Sequence, residues 1–257
     1  MLTVREIDSI LNAVPLQELH ARLDDWRDDP RSGVRKLVEK YEKRLQAYRD
    51  ELARLDRMML YERKYADYEL ICGIDEAGRG PLAGPVCAAA VILPKDEPIL
   101  YVNDSKQLSA AKREELYGVI TEKAVTYGIA LVNEKEIDRI NILQATYEAM
   151  RQAVAKLSPQ PRLSLNDAVT IPGLPIRQVP IVKGDAKSCS IAAASVLAKV
   201  TRDRLMAEYD KLYPEYGFAA HKGYGAASHI EALKKYGPCP IHRLTFIRNI
   251  LNGEGNA

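Results

Sequence analysis

The chain has 257 residues, of which 47% are hydrophobic and 28% are charged, and its formal net charge is +2. This length suits one large domain, or one domain with an appendage. The near-neutral charge means that any surface for a polyanion must be local. No apolar run approaches the roughly 20 residues of a membrane span, and the first residues lack the apolar core of a signal peptide.

Four cysteines are scattered along the chain without a Cys-x-x-Cys pair: Cys72, Cys87, Cys189 and Cys239. This spacing gives no sign of a zinc site or a disulfide framework, and it suits a reducing compartment. We therefore expect a cytoplasmic protein.

Residues 1–66 contain almost no glycine and many charged side chains. From residue 34 onward, apolar residues recur at alternating spacings of four and three, which predicts a long helix with a heptad seam. The predicted seam is Val34, Val38, Tyr41, Leu45, Tyr48, Leu52, Leu55 and Met59. The helix could pack back on shorter helices predicted at 3–14 and 16–27, or its basic side chains could contact a phosphate backbone. A dimerising coiled coil is a third interpretation, although the seam covers only three to four heptads.

The segment 71–86 carries the strongest chemical signal. An apolar run leads directly into Asp75 and Glu76, and a glycine-rich loop follows before a second apolar run begins at Val86. The two acids could simply start a polar turn, or they could bind a divalent cation, the commonest partner that holds several carboxylates together. A dinucleotide-binding loop is excluded, because Gly84 comes one residue too late and a strand-like run follows.

The rest of the chain alternates strands with helices. Strands are predicted at 127–133, 163–168 and 179–182, and helices at 109–126, 141–157, 188–212 and 227–235. Such alternation indicates an α/β sheet covered by helices. The small residues that open the helix at 188–212 favour its close approach to the sheet. We expect the charged group at 199–204 on this helix to form a salt-bridged or solvated face.

Three apolar runs end in acids: Asp75 with Glu76, Asp167, and Asp185. Ligands of α/β sheets gather where the strand ends open a crevice, so we expect these acids to share one site. Four carboxylates suit two Mg²⁺ or Mn²⁺ ions that act on a phosphodiester. Because strand neighbours point to opposite faces, the strand should end or bulge at Asp75 and Glu76.

Residues around the acids suggest how a ligand would be held. Arg79 lies between two glycines, which would let backbone amides approach a ligand and contact a ribose 2′-hydroxyl. Tyr224 offers a ring for stacking, although a single tyrosine is more often a packing residue. Lys106 and Lys183 are candidate phosphate contacts, or else ordinary surface lysines.

These residues resemble a known family. The run Asp-Glu-Ala-Gly-Arg-Gly-Pro-Leu-Ala-Gly-Pro-Val at 75–86 resembles the opening motif of type 2 ribonucleases H, specifically bacterial ribonuclease HII. Further matching motifs, in the family's order, are Asp104-Ser105-Lys106, Asn166-Asp167-Ala168, Lys183-Gly184-Asp185, the helix at 192–203, Lys222-Gly223-Tyr224-Gly225 and His242-Arg243. The resemblance covers about residues 67–248.

The resemblance implies an RNase H-like fold, with a central mixed five-stranded sheet flanked by helices and a helical N-terminal extension. It implies an endonuclease that cuts the RNA strand of RNA/DNA hybrids, and DNA 5′ of embedded ribonucleotides, leaving 5′-phosphate and 3′-hydroxyl ends. Such an enzyme would act in ribonucleotide removal from DNA. The implied domains are an extension at 1–66, a catalytic domain at 67–248 and a tail at 249–257. We expect a monomer that uses two Mn²⁺ or Mg²⁺ ions.

The resemblance also implies roles for individual residues. The metal-binding acids are Asp75, Glu76, Asp167 and Asp185, the loop that reads the 2′-hydroxyl is Gly78, Arg79 and Gly80, and the remaining substrate contacts are Lys106, Lys183 and Tyr224. Asn166 departs from the apolar residue usual before the third acid, so the geometry of Asp167 is in question. The alternatives are an activity like that of the sister type, ribonuclease HIII, which would not cut at a single ribonucleotide, and a non-catalytic hybrid-binding protein.

Overall fold

The computed structural model describes residues 1–95, 97 and 99–252, and the chain divides into two compact units, residues 1–57 and 58–257. The first unit is helical, with α1 (Val4–Ala13), α2 (Leu19–Asp24) and the long α3 (Ser32–Met58). A capping box begins α1, in which Thr3 and Glu6 each accept the other's backbone N–H. The three helices bury one apolar cluster: Ile7, Leu11, Leu19, Leu23, Val34, Val38, Tyr41 and Leu45.

The predicted seam of α3 holds from Val34 to Tyr48 and again at Leu55, and it is wrong at Leu52 and Met59. Helices α1 and α2 pack against the positions from Val34 to Leu45, as one of the interpretations predicted. Beyond Tyr48 the buried stripe shifts by one residue, so that Glu51 and Met58 are buried while Leu52 is 37% exposed. The two short helices fix the seam only where they contact it.

The second unit contains the sheet. Its strands are β1 (Ile71–Ala77), β2 (Val86–Ile92), β3 (Thr126–Val132), β4 (Leu163–Asp167) and β5 (Arg177–Ile181). Its helices are α4 (Leu60–Lys64), α5 (Ala110–Lys123), α6 (Glu134–Ile140), α7 (Ile142–Ala155), α8 (Cys189–Leu212), α9 (Phe218–His221), α10 (Ala227–Tyr236) and α11 (Leu244–Leu251). The predicted tail at 249–257 overlaps α11, and residues 253–257 lie outside the described part of the chain.

The sheet is mixed, with the strand order β3-β2-β1-β4-β5. Strand β2 is antiparallel to both β1 and β3, whereas β1, β4 and β5 are parallel to one another. The carboxyl ends of these three parallel strands therefore meet at one edge of the sheet. The prediction of a mixed five-stranded sheet flanked by helices is confirmed.

Helices cover both faces of the sheet. Helix α7 packs on one face, where Ala145, Ala149 and Ala153 join a cluster with Cys72 and Ile74 of β1. On the other face, α8 comes so close that a Cβ on Gly73 would lie 2.0 Å from the carbonyl carbon of Ser190. This close approach explains the small residues at the start of α8. None of the helices within the described residues combines the length and hydropathy needed to cross a bilayer.

Candidate active site

Asp75 and Asp167 lie where two parallel strands separate. The pairing of β1 with β4 ends at Ile74 and Asn166, and the two acids are the next residue on each strand. On its other side, β1 stays paired with β2 as far as Ala77. The crevice therefore opens between β1 and β4, at the carboxyl ends of the strands.

Strand β1 does not bulge at its two acids, because the register with β2 is regular through Glu76 and Ala77, but its pairing with β4 ends directly before them. Side chains alternate along the strand, so Asp75 points to the same face as Gly73, toward α8, and Glu76 points to the other. Both acids nevertheless interact electrostatically with Asp167. The open gap beside β1, rather than a bulge, leaves both acids within electrostatic range of Asp167.

The carboxylates are buried and repel one another. Asp75 is 6% exposed, and its burial, followed by the charges of Glu76 and Asp167, raises its pKa well above the ordinary value. Burial also raises the pKa of Glu76, against the opposing charge of Arg79, whose Nη1 lies 3.4 Å from Glu76 Oε1. A site that holds several carboxylates at such a cost is a candidate functional site.

Asp185 lies in a short 3₁₀ turn after β5 and is 7% exposed. Its pKa is raised by burial first and then by the charges of Asp104 and Asp167. Asp75, Glu76 and Asp185 each interact electrostatically with Asp167, so the four acids lie in one region of the sheet edge, and their shared role stays a prediction. Asp104 was not among the predicted site residues. Its position next to Lys106, in a motif that matches the family, was the feature that could have identified it.

The two candidate lysines differ. Burial lowers the pKa of Lys106, but the charges of Asp104, Asp185, Asp75 and Asp167 together raise it above its usual value. Lys106 thus lies among the acids. Lys183 is exposed and has a left-handed backbone, with φ of 56°. No described residue bonds its ammonium group.

Asn166, the polar residue whose effect on the neighbouring acid was in question, is fully buried. Its Nδ2 donates to the carbonyl of Val169 at 3.1 Å and to Gln178 Oε1 at 2.9 Å. Gln178 in turn accepts the backbone N–H of Ile171 and donates to its carbonyl. This network fastens the loop after β4 to β5, so Asn166 supports the position of Asp167.

The glycine-rich loop, residues 78–85, lies beside Tyr224. Gly78 has φ of 92°, and a Cβ there would lie 2.1 Å from Arg202 Nε, so only glycine fits. A Cβ on Gly80 would lie 3.9 Å from the ring of Tyr224, which is 44% exposed. The loop and the ring thus form one surface, and the ring is available to a ligand.

Two buried arginines lie beneath this loop. Arg202 donates to the carbonyls of Ala83, Pro85 and Lys222, and Arg243 donates to those of Gly78, Arg79 and Gly84. The expectation of a salt-bridged or solvated face at 199–204 is correct for Lys199, which pairs with Asp203 at 2.7 Å. It is wrong for Arg202, which is 1% exposed.

The donor set fits hard divalent cations. It consists of carboxylate oxygens whose mutual repulsion a cation would relieve, and Mg²⁺ and Mn²⁺ prefer such ligands. Across residues 1–95, 97 and 99–252, no three Asp, Glu, His or Cys side chains are placed so as to enclose an ion by themselves. Mg²⁺ usually keeps several waters and takes only one or two carboxylates directly, so the arrangement fits such an ion.

Solved structures share this fold. The ribonuclease H2 of Pyrococcus horikoshii OT3 superposes with a TM-score of 0.60 at 30% identity, over 71% of this chain and 97% of that one. A ribonuclease HII from Archaeoglobus fulgidus, solved in a complex with PCNA, superposes with a TM-score of 0.61 at 24% identity, over 73% and 98%. The sheet, its helices and the acid cluster define a protein of the ribonuclease H class, with an RNase H-like fold.

Sequence comparison identifies the family within the ribonuclease H class. The family profile described as ribonuclease HII matches residues 72–249, and that described as ribonuclease HII N-terminal domain matches residues 3–66. The ribonuclease HII of Lachnoclostridium phytofermentans is 63% identical over 88% of this chain and 89% of its own length. That of Clostridioides difficile is 53% identical over 97% and 98%. The chain belongs to the ribonuclease HII family, and it is a ribonuclease H, an endonuclease that hydrolyses nucleic acid.

Proposed function

We propose that this enzyme cuts the RNA strand of RNA/DNA hybrids and cuts duplex DNA on the 5′ side of an embedded ribonucleotide, leaving 5′-phosphate and 3′-hydroxyl ends. Such cleavage would serve the removal of ribonucleotides from DNA. The observation that supports this function best is the convergence of Asp75, Glu76, Asp167 and Asp185 beside a loop that exposes backbone amides.

Asp75, Glu76, Asp167 and Asp185 would hold two divalent ions, Mg²⁺ or Mn²⁺. When bound, such ions activate the attacking water and stabilise the leaving oxygen of a phosphodiester. The protein's own part is to hold the carboxylates in position and partly shielded from water.

The substrate would lie across the crevice and the adjoining loop. Arg79 and Gly80 of the loop are exposed and would contact the ribose 2′-hydroxyl, the group by which a protein tells RNA from DNA. Tyr224 would stack beside the sugar on the DNA side of the junction. Lys106, and at the surface Lys183, would contact phosphates, as lysines do in most nucleic-acid complexes.

We also propose that residues 1–66 form a helical extension to a catalytic domain at 67–248, and that the enzyme is monomeric. The extension adds exposed Arg and Lys side chains on α3 that suit a phosphate backbone. Light scattering separates this role from oligomerisation, because a dimerising extension would double the mass of the full chain. A monomeric mass that does not change with protein concentration supports the proposal.

The decisive test offers the enzyme a DNA duplex with one ribonucleotide, with and without Mg²⁺ or Mn²⁺. Cleavage on the 5′ side supports the proposal, whereas cleavage of long hybrids alone would indicate an activity like that of ribonuclease HIII. The variant Asp75→Asn should keep the fold and bind both substrates but lose cleavage. Undiminished cutting by this variant would overturn the site assignment, and tight binding without cleavage by the wild type would indicate a hybrid-binding protein.

A matched control is Asp203→Asn. Asp203 is also a partly buried acid, but its partner is Lys199 on the same helix. Its replacement should leave the ion dependence of cleavage unchanged. Metal binding itself is measured apart from activity, by the rise in melting temperature on titration with Mn²⁺. That rise should be much smaller in Asp75→Asn than in Asp203→Asn.

A further inference from the structure

Arg202 and Arg243 are buried cations without a carboxylate partner among the described residues. They are 1% and 0% exposed, and all six of their hydrogen bonds in that part of the chain go to backbone carbonyls. Burying a charge is costly unless it is fully hydrogen-bonded. Two adjacent buried charges cost more free energy than is needed to anchor a loop, so their presence calls for an explanation.

Arg243 fixes the orientation of two consecutive peptide groups. Its Nη2 donates to the carbonyl of Gly78 at 2.6 Å, and its Nη1 donates to the carbonyl of Arg79 at 2.8 Å. In a planar trans peptide, the N–H points opposite to the carbonyl of the preceding residue. The N–H groups of Arg79 and Gly80 are therefore directed away from the buried guanidinium.

Those two amides are available to a ligand. Arg79 and Gly80 are both exposed, and no described residue accepts a hydrogen bond from either N–H. The ring of Tyr224 borders the same spot. Two parallel backbone donors beside an aromatic ring suit a ribose hydroxyl, because its oxygen can accept both bonds.

The buried charge also acts on the amides electrostatically. Burial, and then the charge of Arg202, lowers the pKa of Arg243 to about 9, so the guanidinium remains charged at neutral pH. With a cation at the carbonyl end of each peptide, the peptides are polarised, and their N–H ends become stronger donors. A lysine at this position would keep the charge but lose the planar fork that holds both carbonyls.

We propose that Arg243 is a positioning residue for ribose recognition: by holding the carbonyls of Gly78 and Arg79, it aims the N–H groups of Arg79 and Gly80 at the 2′-hydroxyl. Arg202 has a different role. It ties the loop to the carbonyl of Lys222, and so to the segment that carries Tyr224, and none of its hydrogen bonds goes to the carbonyls of Gly78 or Arg79. This inference rests on the proposed function, and it adds a residue that sets the selectivity of the enzyme for ribose over deoxyribose.

The test measures binding rather than cleavage, in full-length protein carrying Asp75→Asn. The affinity for a duplex with one ribonucleotide is divided by the affinity for the same duplex made of DNA only. Arg243→Lys should lower this ratio by about tenfold or more, the equivalent of one good hydrogen bond, while affinity for the all-DNA duplex stays within about twofold. A merely structural role would weaken both affinities together.

Arg202→Lys is the matched control, because it alters an equally buried arginine under the same loop. It should lower the melting temperature but leave the ratio within about twofold of the parent value. An unchanged ratio in folded Arg243→Lys, or an equal fall in Arg202→Lys, would overturn the inference. A parent protein that does not prefer the ribonucleotide duplex at all would instead overturn the proposed function.

A second measurement needs no substitution at Arg243. Amide exchange and chemical shifts of Arg79 and Gly80 are followed by NMR in the Asp75→Asn protein. Both amides should exchange freely in the unbound protein and become protected by the ribonucleotide duplex, but not by the all-DNA duplex. Equal protection by the two duplexes would contradict the inference even if Arg243→Lys did not fold.

Discussion

Asp167 Oδ1 accepts the backbone N–H of Gly184 at 2.7 Å, and this bond links the end of β4 to the turn that carries Asp185. A Cβ on Gly184 would also lie within 3.4 Å of the same oxygen. One carboxylate therefore has two tasks: one oxygen fixes the neighbouring acid's turn, and its charge contributes to the site. Substitutions can separate the two tasks.

Asp167→Asn keeps an oxygen that can accept from Gly184 but removes the charge, whereas Asp167→Ala removes both. We expect Asn to leave the free energy of unfolding within about 0.5 kcal/mol of the wild type, and Ala to lower it by about 1–3 kcal/mol, the cost of an unpaired buried N–H. Both should lose activity in the presence of Mg²⁺. Urea unfolding and a cleavage assay measure the two effects. An Asn variant as unstable as the Ala variant would contradict the structural task.

A histidine pair beside the loop makes stability depend on pH. His242 Nδ1 accepts the N–H of Cys239, so its Nε2 carries the proton and donates to His229 Nε2 at 3.0 Å. His229 Nδ1 donates in turn to the carbonyl of Tyr224 at 2.8 Å. Both rings are thus neutral. Burial, and then the repulsion that a protonated His229 would exert, lowers the pKa of His242 to about 4.

A histidine whose pKa is lower in the folded than in the unfolded state binds its proton more readily when unfolded. Its contribution to stability is complete above the unfolded value of about 6.5 and is lost as the pH falls from there toward 4. We expect the urea midpoint to fall across this range, and to fall less in His242→Gln. His20→Gln, on the exposed surface of the N-terminal unit, is the control. Parallel curves for wild type and His242→Gln would contradict this reading of the pair.

The start of α8 depends on an acid that precedes the sheet. Glu62 Oε1 accepts hydrogen bonds from Ser188 Oγ, Ser190 Oγ and the backbone N–H of Ser190, at 2.6–3.0 Å. A chain that begins at residue 67 loses this carboxylate, whereas one that begins at residue 58 keeps it. We expect the shorter chain to be less stable by roughly 1–3 kcal/mol, because buried donors lose their acceptor.

Melting curves of the two truncated chains measure that difference, and Glu62→Ala in the chain from residue 58 should reproduce it. Glu69→Ala, a change to an exposed acid near the start of β1, is the matched control and should have little effect. Equal stability of the two truncations would show that Glu62 contributes nothing to the start of α8.

Sequence patterns predicted the parts of the site that local chain properties determine. Apolar runs that end in acids located β1 and β4, and the parallel arrangement of strands explains why Asp75 and Asp167 meet. Arg202 shows what a local sequence pattern can and cannot predict. Its spacing from Ala198 and Met206 places it on the buried stripe of α8. Two of its three partners, however, lie 117 and 119 residues away, and only the folded loop supplies them.

The sequence pattern predicts the burial of Arg243 even less well than that of Arg202. Arg243 lies in an irregular segment before α11, and its carbonyl partners are up to 165 residues distant. The same holds for Asn166. Because Asn166 is a polar residue on a buried strand, the sequence left the position of Asp167 in question. In the structure Asn166 bonds to Gln178, twelve residues later, and this bond helps to hold Asp167 in position. Polar groups in a core are explained by partners that periodicity does not reveal.

That support can be tested through Gln178. Its amide bonds Asn166 Nδ2 and both backbone groups of Ile171. Gln178→Ala therefore leaves the N–H and the carbonyl of Ile171 without a partner, and leaves Asn166 Nδ2 with only the carbonyl of Val169. We expect a loss of about 2–4 kcal/mol in the free energy of unfolding. Activity should fall at temperatures well below the melting point, because the loop after Asp167 loses its attachment to β5.

The matched change is Arg177→Ala, one residue earlier on β5 and exposed, which should cost within about 0.5 kcal/mol. Asn166→Val combined with Gln178→Leu should recover part of the stability that Gln178→Ala loses, because it removes the buried amide of Asn166, whose Oδ1 has no hydrogen-bond partner among the described residues. The activity of the double variant shows whether the hydrogen bonds of the network, or only its packing, hold Asp167 in position. Recovered stability without recovered activity would show that the hydrogen bonds, and not packing alone, hold Asp167 in place.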